Sequence, residues 1–185
     1  MDKKTLRKEM KEISTALSTE YKEKSSAEIC RLLTREEFFL KAKSIFIYIS
    51  TADEPDTREI IKTAFDSNKN IFVPKCISAS VMVPVKINEN TKMIKGFKGL
   101  TEPEDTADAD NNISPDLCII PCVSASYDGK RLGHGASFYD RFLQNKNTLK
   151  VCLCFDRKIS PLIPETDTDI PMDIVITETG IYRIL

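Results

Sequence analysis

At 185 residues, 41% of them hydrophobic and 30% charged, the chain has the size of one globular domain, and its composition excludes both disorder and a disulfide- or metal-dependent miniature fold. Basic and acidic residues nearly cancel, 27 against 28, for a net charge of −1. That excludes a global field for nucleic acid or an anionic membrane and leaves any phosphate site to a local cluster.

The first expected element is a helix. Leu6, Met10, Ile13 and Leu17 recur at steps of four, three and four, which makes one narrow apolar stripe. Lys3 and Arg7, four apart, share a face roughly 70° from the centre of that stripe. Periodicity alone reads them as a solvated flank. The charged start, MDKKTLRKEMKE, is not a secretion signal, and no apolar run approaches bilayer length, so the expected compartment is the cytoplasm. A second helix is expected over Thr19–Thr34. Ser44–Ser50 (SIFIYIS) is β-branched and aromatic and reads as a strand buried on both faces. After TADEPDT comes a helix, REIIKTAFDSNK, with Asp56 and Glu59 at capping-box spacing. Asn70–Pro74 and Val81–Ile87 are further strands, the second placed at an edge or bulge by Pro84.

Residues 88–115 carry few apolar anchors (Ile94, Phe97, Leu100, Ile113) and the acidic tract EDTADADNN; a connection this long in a small domain is more often functional than idle. Order resumes with Asp116–Pro121, a loop to about Gly135, a helix near Ser137–Asn145, the strand Lys150–Phe155 and a last strand, Asp173–Glu178. The alternation predicts a single α/β domain over 1–185, three-layered α/β/α, with a mostly parallel, Rossmann-like sheet. Six cysteines include no C-x-x-C pair. Cys118, Cys152 and Cys154 sit in strand-like runs, where a reduced thiol packs as a small hydrophobe.

Ligands of open α/β sheets bind at the carboxyl ends of strands. Three loops leave such ends here: Thr51–Thr57, Pro121–Gly135 and Asp156–Asp173. The richest stretch is DGKRLGHGASFYDRFL, Asp128–Leu143. Gly129, Gly133 and Gly135 let backbone N–H groups converge on an anion, and a helix follows at once. Neither the dinucleotide fingerprint nor the P-loop spacing is present. As a bare glycine loop the signal is weak.

The full string R-L-G-x-G-x-x-F-Y-D-R-F-L, after a strand ending in Pro and a D-G turn, resembles the signature of the 5-formyltetrahydrofolate cyclo-ligase family. K-x-x-x-R at Lys3–Arg7, DEPDT at Asp53–Thr57, F-V-P at Phe72–Pro74, E-P at Glu102–Pro103 and D-x-x-x-D-x-V-I-T-E at Asp169–Glu178 are similar to other family segments in the same order. The resemblance implies an ATP- and Mg²⁺-dependent ligase that closes 5-formyltetrahydrofolate into 5,10-methenyltetrahydrofolate. By the same resemblance, ATP is contacted by Lys3, Lys4, Arg7, Arg131, Gly133, His134, Gly135, Ala136, Ser137, Phe138 and Tyr139. The folate is contacted by Ile49, Glu54, His134, Gly135, Ser137 and Phe138. Asp140 and Asp169 hold Mg²⁺, and Arg131 and Tyr139 are the catalytic pair. This outweighs the solvated-flank reading of Lys3 and Arg7.

Where family members carry Gly or Lys and then Gly, this chain has Ala136 and Ser137, whose Cβ atoms narrow the backbone; Ser137 offers a hydroxyl donor or an N-cap instead. His134, the single histidine, reads as a loop residue lining the site, since one His without soft partners builds no zinc site. Asp56 reads as a helix cap. The expected partners are small molecules, with neither nucleic acid nor membrane, in a monomer or weak homodimer. Two rival readings are another small-molecule phosphate enzyme on the same scaffold and a non-catalytic folate- or nucleotide-binding relative.

Overall fold

Helix α1 (Lys3–Ala16) begins where the Asp2 carboxylate accepts the Thr5 N–H at 2.7 Å, a side-chain N-cap. The structure, a computed structural model, describes residues 2–184, so the two end positions of the expected 1–185 domain lie outside the described residues. Leu6 and Met10 are buried against Leu132 and Ile163. The stripe therefore docks α1 on the glycine-rich segment, and each such side chain contributes about 1.5–3 kcal/mol by leaving water. Helix α2 (Thr19–Thr34) matches its expected bounds. A short helix α3 (Glu37–Lys41), too brief to show a period, carries Phe39 into the core.

The strands are β1 (Ser44–Ile47), β2 (Asn70–Cys76), β3 (Met82–Ile87), β4 (Met93–Lys95), β5 (Thr101–Pro103), β6 (Leu117–Ile120), β7 (Ser124–Ala125), β8 (Arg131–Leu132), β9 (Leu149–Leu153), β10 (Ile174–Thr177) and β11 (Gly180–Arg183). Seven form one sheet in the order β11-β10-β9-β6-β1-β2-β3. The five inner strands are parallel; β3 and β11 are antiparallel edges. The side-chain alternation splits the core in two. Ile45, Ile47, Leu117, Ile119, Val151 and Leu153 face α2, α3 and helix α4 (Arg58–Asp66). Phe46, Cys118, Ile120, Cys152 and Val175 face helix α5 (Phe138–Leu143), which puts Phe142 and Leu143 against them. The expected three-layer fold is observed, with its second helical layer reduced to α5 and loops.

Several expectations shift. The first strand ends at Ile47 instead of Ser50, because the Tyr48 carbonyl accepts the Thr57 hydroxyl at 2.9 Å and the Tyr48 hydroxyl donates to the Pro55 carbonyl at 2.8 Å, which turns the chain into the site loop. The capping box does not form: Thr57 is the N-cap residue, and Asp56 accepts the Arg58 N–H at 2.9 Å and pairs with the Arg58 guanidinium. Helix α5 is shorter than Ser137–Asn145, bracketed by left-handed Ser137 (φ 50°) and Asn145 (φ 61°). The strand expected to be last is followed by β11 after a two-residue turn. Pro84 does mark an edge strand. Beyond it the acidic tract lies alongside β3, the Lys86 N–H donating to the Asp108 carbonyl and the Asp110 N–H to the Pro84 carbonyl, both at 3.0 Å, so the open edge is covered. All six cysteines are free thiols, with Cys118, Cys152 and Cys154 buried as expected. No described helix is long and apolar enough to cross a membrane.

Candidate active site

From β1 the sheet grows one way to β2 and the other way to β6, so the topological switch point lies between β1 and β6. The loops leaving their carboxyl ends, Thr51–Thr57 and Pro121–Gly135, meet there over a cleft lined by Ile49, Glu54, Arg131, His134, Phe138 and Tyr139, among others. Most residues singled out from the sequence therefore converge.

Glu54 is pinned from both sides. One carboxylate oxygen accepts the Thr51 N–H and hydroxyl, each at 2.9 Å, and the other lies 3.2 Å from His134 Nε2. Burial pushes its pKa up, but the His134 and Thr51 hydrogen bonds outweigh burial and hold it below the usual carboxylate value. The site therefore offers a fixed anion beside the apolar wall of Tyr48 and Ile49.

Arg131 crosses beneath the glycine loop. Its side chain is 4% exposed and pairs with Asp140 at 2.8 Å. A second guanidinium nitrogen donates to the Pro121 carbonyl at 3.3 Å, and the Arg131 Nε–H, buried, has no partner. An orphaned cationic donor is costly unless something anionic meets it. The guanidinium carbon sits 5.8 Å from the centre of the Tyr139 ring. Burial and, after it, the Glu54 charge push the Tyr139 hydroxyl far up, so it acts as a neutral phenol.

The N-terminal helix completes the loop. Arg7 Nε donates to the Gly133 carbonyl at 2.8 Å, and its guanidinium packs against Gly135, where a Cβ would sit 3.6 Å from Arg7 Cζ. Lys3 pairs with Asp169. Lys4, the third basic residue expected there, is exposed on α1. Among the described residues the backbone N–H groups of His134, Gly135, Ala136 and Ser137 find no protein acceptor. Ser137 adopts φ 50°, ψ 28° and makes no side-chain cap hydrogen bond, so the N-cap role expected of its hydroxyl is not realised.

Asp140 and Asp169 lie close together, since Asp140 Oδ1 accepts the N–H of Ile170 at 3.3 Å. Each commits one oxygen within the protein, Asp140 to Arg131 and Ile170 and Asp169 to Lys3 and Thr166, and each leaves the other oxygen free among the described residues. Two such oxygens suit a hard cation that fills its remaining positions with water and phosphate.

The opposite wall was less legible. Phe97, Leu100 and Glu102, from the β4–β5 hairpin, lean over the cleft with Cys76 and Met82. Phe97 meets Phe138 edge to face at 6.0 Å. Glu102, 3% exposed, fixes the hairpin by accepting the N–H groups of Cys76 at 3.0 Å and Phe97 at 3.2 Å. In the sequence Glu102 stands out only through its Glu-Pro pair and Phe97 only as an apolar anchor; nothing marks Cys76 or Met82.

A doubly wound sheet with free amides, a buried cation and paired carboxylates at its switch point places the chain among the α/β proteins whose ligands sit at that point. More particularly, the chain belongs to the 5-formyltetrahydrofolate cyclo-ligase family, whose model matches residues 1–178. It is 29% identical over 175 residues to a probable 5-formyltetrahydrofolate cyclo-ligase of Schizosaccharomyces pombe, covering 85% of this chain and 86% of that one. It is likewise 29% identical to the Mus musculus 5-formyltetrahydrofolate cyclo-ligase, over 95% and 93% of the two chains. The solved structure of 5,10-methenyltetrahydrofolate synthetase from Aquifex aeolicus superposes with a TM-score of 0.87 at 26% identity, covering 100% of this chain and 93% of that one.

Proposed function

We propose that the protein is an ATP- and Mg²⁺-dependent 5-formyltetrahydrofolate cyclo-ligase acting as one domain. The observation that carries this reading is the seat of Arg7: the guanidinium on the Gly133 carbonyl and under Gly135 brings a cation of α1 to a loop of free amides above the orphaned Arg131 donor. Family membership supplies the substrate class.

The chemistry fits the inventory. The N5-formyl oxygen is a poor leaving group. Transfer of the ATP γ-phosphoryl group to that oxygen, with ADP departing, converts it to a phosphate ester. N10 then attacks the formyl carbon, its proton is lost, and phosphate leaves with the C–O bonding pair to give the methenyl bridge. Such transfer asks the protein chiefly for positioning and charge neutralisation. In this reading the amides of His134–Ser137, with Lys3, Lys4 and Arg7, take the triphosphate. Arg131 and Tyr139 face the transferred group, the one as a buried cation and the other as a neutral hydroxyl. Ile49 and Phe138 hold the pterin, and Glu54, steadied by His134, fixes its orientation by accepting hydrogen bonds. Asp140 and Asp169 would hold Mg²⁺, which would supply neutralisation of phosphate charge when bound. Six free thiols support a reducing compartment such as the cytoplasm.

Mixing the protein with Mg²⁺, ATP and 5-formyltetrahydrofolate tests the reading. Near-ultraviolet absorbance of the methenyl product should grow, and only with all three present. Folate binding without that growth would favour a non-catalytic relative. ATP consumption that ignores folate would favour a different phosphate enzyme.

A further inference from the structure

The cleft between Glu54 and Phe97 encloses about 230 Å³, less than the roughly 300–1,000 Å³ of clefts that engulf a drug-sized ligand. A reduced folate carries a pterin, a benzoyl ring and a terminal glutamate with two carboxylates. With its pterin beside Glu54, the molecule must run on past the mouth of this cleft.

Met82 and Phe138 line both the cleft and a second, more open depression of about 350 Å³. That depression has a different character. Arg141 and Lys146 bring cations to it, and Asn111 and Gln144 bring amides. The Arg141 guanidinium lies 5.6 Å over the Phe138 ring and donates to the carbonyls of Ser80 at 2.7 Å and Ala136 at 2.6 Å. The Lys146 ammonium lies 4.9 Å over the Phe142 ring and donates to the Ile113 carbonyl at 2.6 Å. Rings and carbonyls thus fix both cations in place without neutralising them. Among the described residues neither cation forms an ion pair with a carboxylate; their hydrogen-bond partners are backbone carbonyls. Each cation keeps further N–H donors for an anion, and charge-assisted bonds to a carboxylate are the stronger kind.

We propose that this depression seats the glutamate end of the folate, the benzoyl ring passing between Met82 and Phe138 and the carboxylates resting on Arg141 and Lys146. The inference rests on the cyclo-ligase reading and adds where the substrate's anionic end goes. A competing exit lies on the hairpin side, where Lys98 stands 5.4 Å over the Phe97 ring.

The test compares methenyl formation from 5-formyltetrahydrofolate and from 5-formyltetrahydropteroate, the same molecule without its glutamate, at low ionic strength with Mg²⁺ and ATP. Exposed ion pairs are worth up to about fivefold each, so the wild-type KM for the pteroate should be roughly tenfold the higher. In the double variant Arg141→Gln/Lys146→Gln the ratio should collapse toward one, whereas Lys98→Gln should preserve it. Arg141 also braces Ser80 and Ala136, so Lys146→Gln alone is the arm least prone to disturb the loop, and it should cut the ratio at least twofold. Equal wild-type KM values, a ratio that survives the double variant, or its loss in Lys98→Gln overturns the site while leaving the cyclo-ligase reading intact. Turnover of neither compound refutes that reading, and the glutamate site falls with it.

Discussion

Arg131 and Asp140 are the pair on which the site's architecture and its proposed chemistry both lean. They meet at 2.8 Å with side chains only 4% and 12% exposed. Arg131→Ala would leave Asp140 with one further hydrogen bond, the 3.3 Å contact from Ile170, and otherwise stranded from water. Breaking a buried pair in this way costs about 3–5 kcal/mol. A chain of this length loses roughly 2–4 °C of Tm per kcal/mol, so Arg131→Ala should melt some 6–20 °C lower. Removing both partners, as Arg131→Met/Asp140→Leu, leaves no uncompensated charge, and much of that loss should return. Thermal or urea unfolding of the wild type, both single variants and the double variant yields a coupling energy, expected between about 1 and 3 kcal/mol. Turnover must behave differently: the double variant should recover stability but not activity, because the proposed mechanism loses the cation it sets against the transferred group. A coupling below about 0.5 kcal/mol would refute the reasoning, and so would a double variant as active as the wild type.

Ser137→Gly should stabilise the protein. Relief of the left-handed strain at φ 50° is worth roughly 1–2 kcal/mol, offset by about 0.4–1 kcal/mol of extra freedom in the unfolded chain, so Tm should rise by a few degrees; a fall would show that the side chain makes a contribution unaccounted for. Glu54→Gln tests the fixed anion. The folded-state pKa of Glu54 lies below its ordinary 4.5, so its charge contributes stability that is present above pH 4.5 and lost as pH falls through the folded value. The stability gap between wild type and variant, followed by denaturant unfolding, should be full at pH 7 and should close below pH 4.5. A gap that widens on acidification would reverse the assigned sign.

The layers of the fold were legible because they follow from periods. Steps of three and four wrote α1, and short β-branched runs such as SIFI read as strands covered on both faces. The places where the reading slipped are those governed by single hydrogen bonds or by contacts distant in sequence. Nothing in SIFIYIS reveals that the Thr57 hydroxyl will take the Tyr48 carbonyl and end the strand early. The hairpin wall was obscure because Phe97 and Glu102 act through partners, Phe138 and Cys76, that only the folded sheet brings near. Arg131 reads as a loop cation in the sequence, and its burial appears only once Tyr139 and Pro121 close around it.

The bond between Lys3 and Asp169 spans 166 positions of sequence. During synthesis at some 5–20 residues per second, Lys3 waits seconds for its partner to be made. A contact of that separation closes only after most of the parallel strands lying between the two residues in sequence have paired. The seat of α1 on the glycine-rich segment is therefore a report on the assembled sheet, since no local piece of the chain can form it.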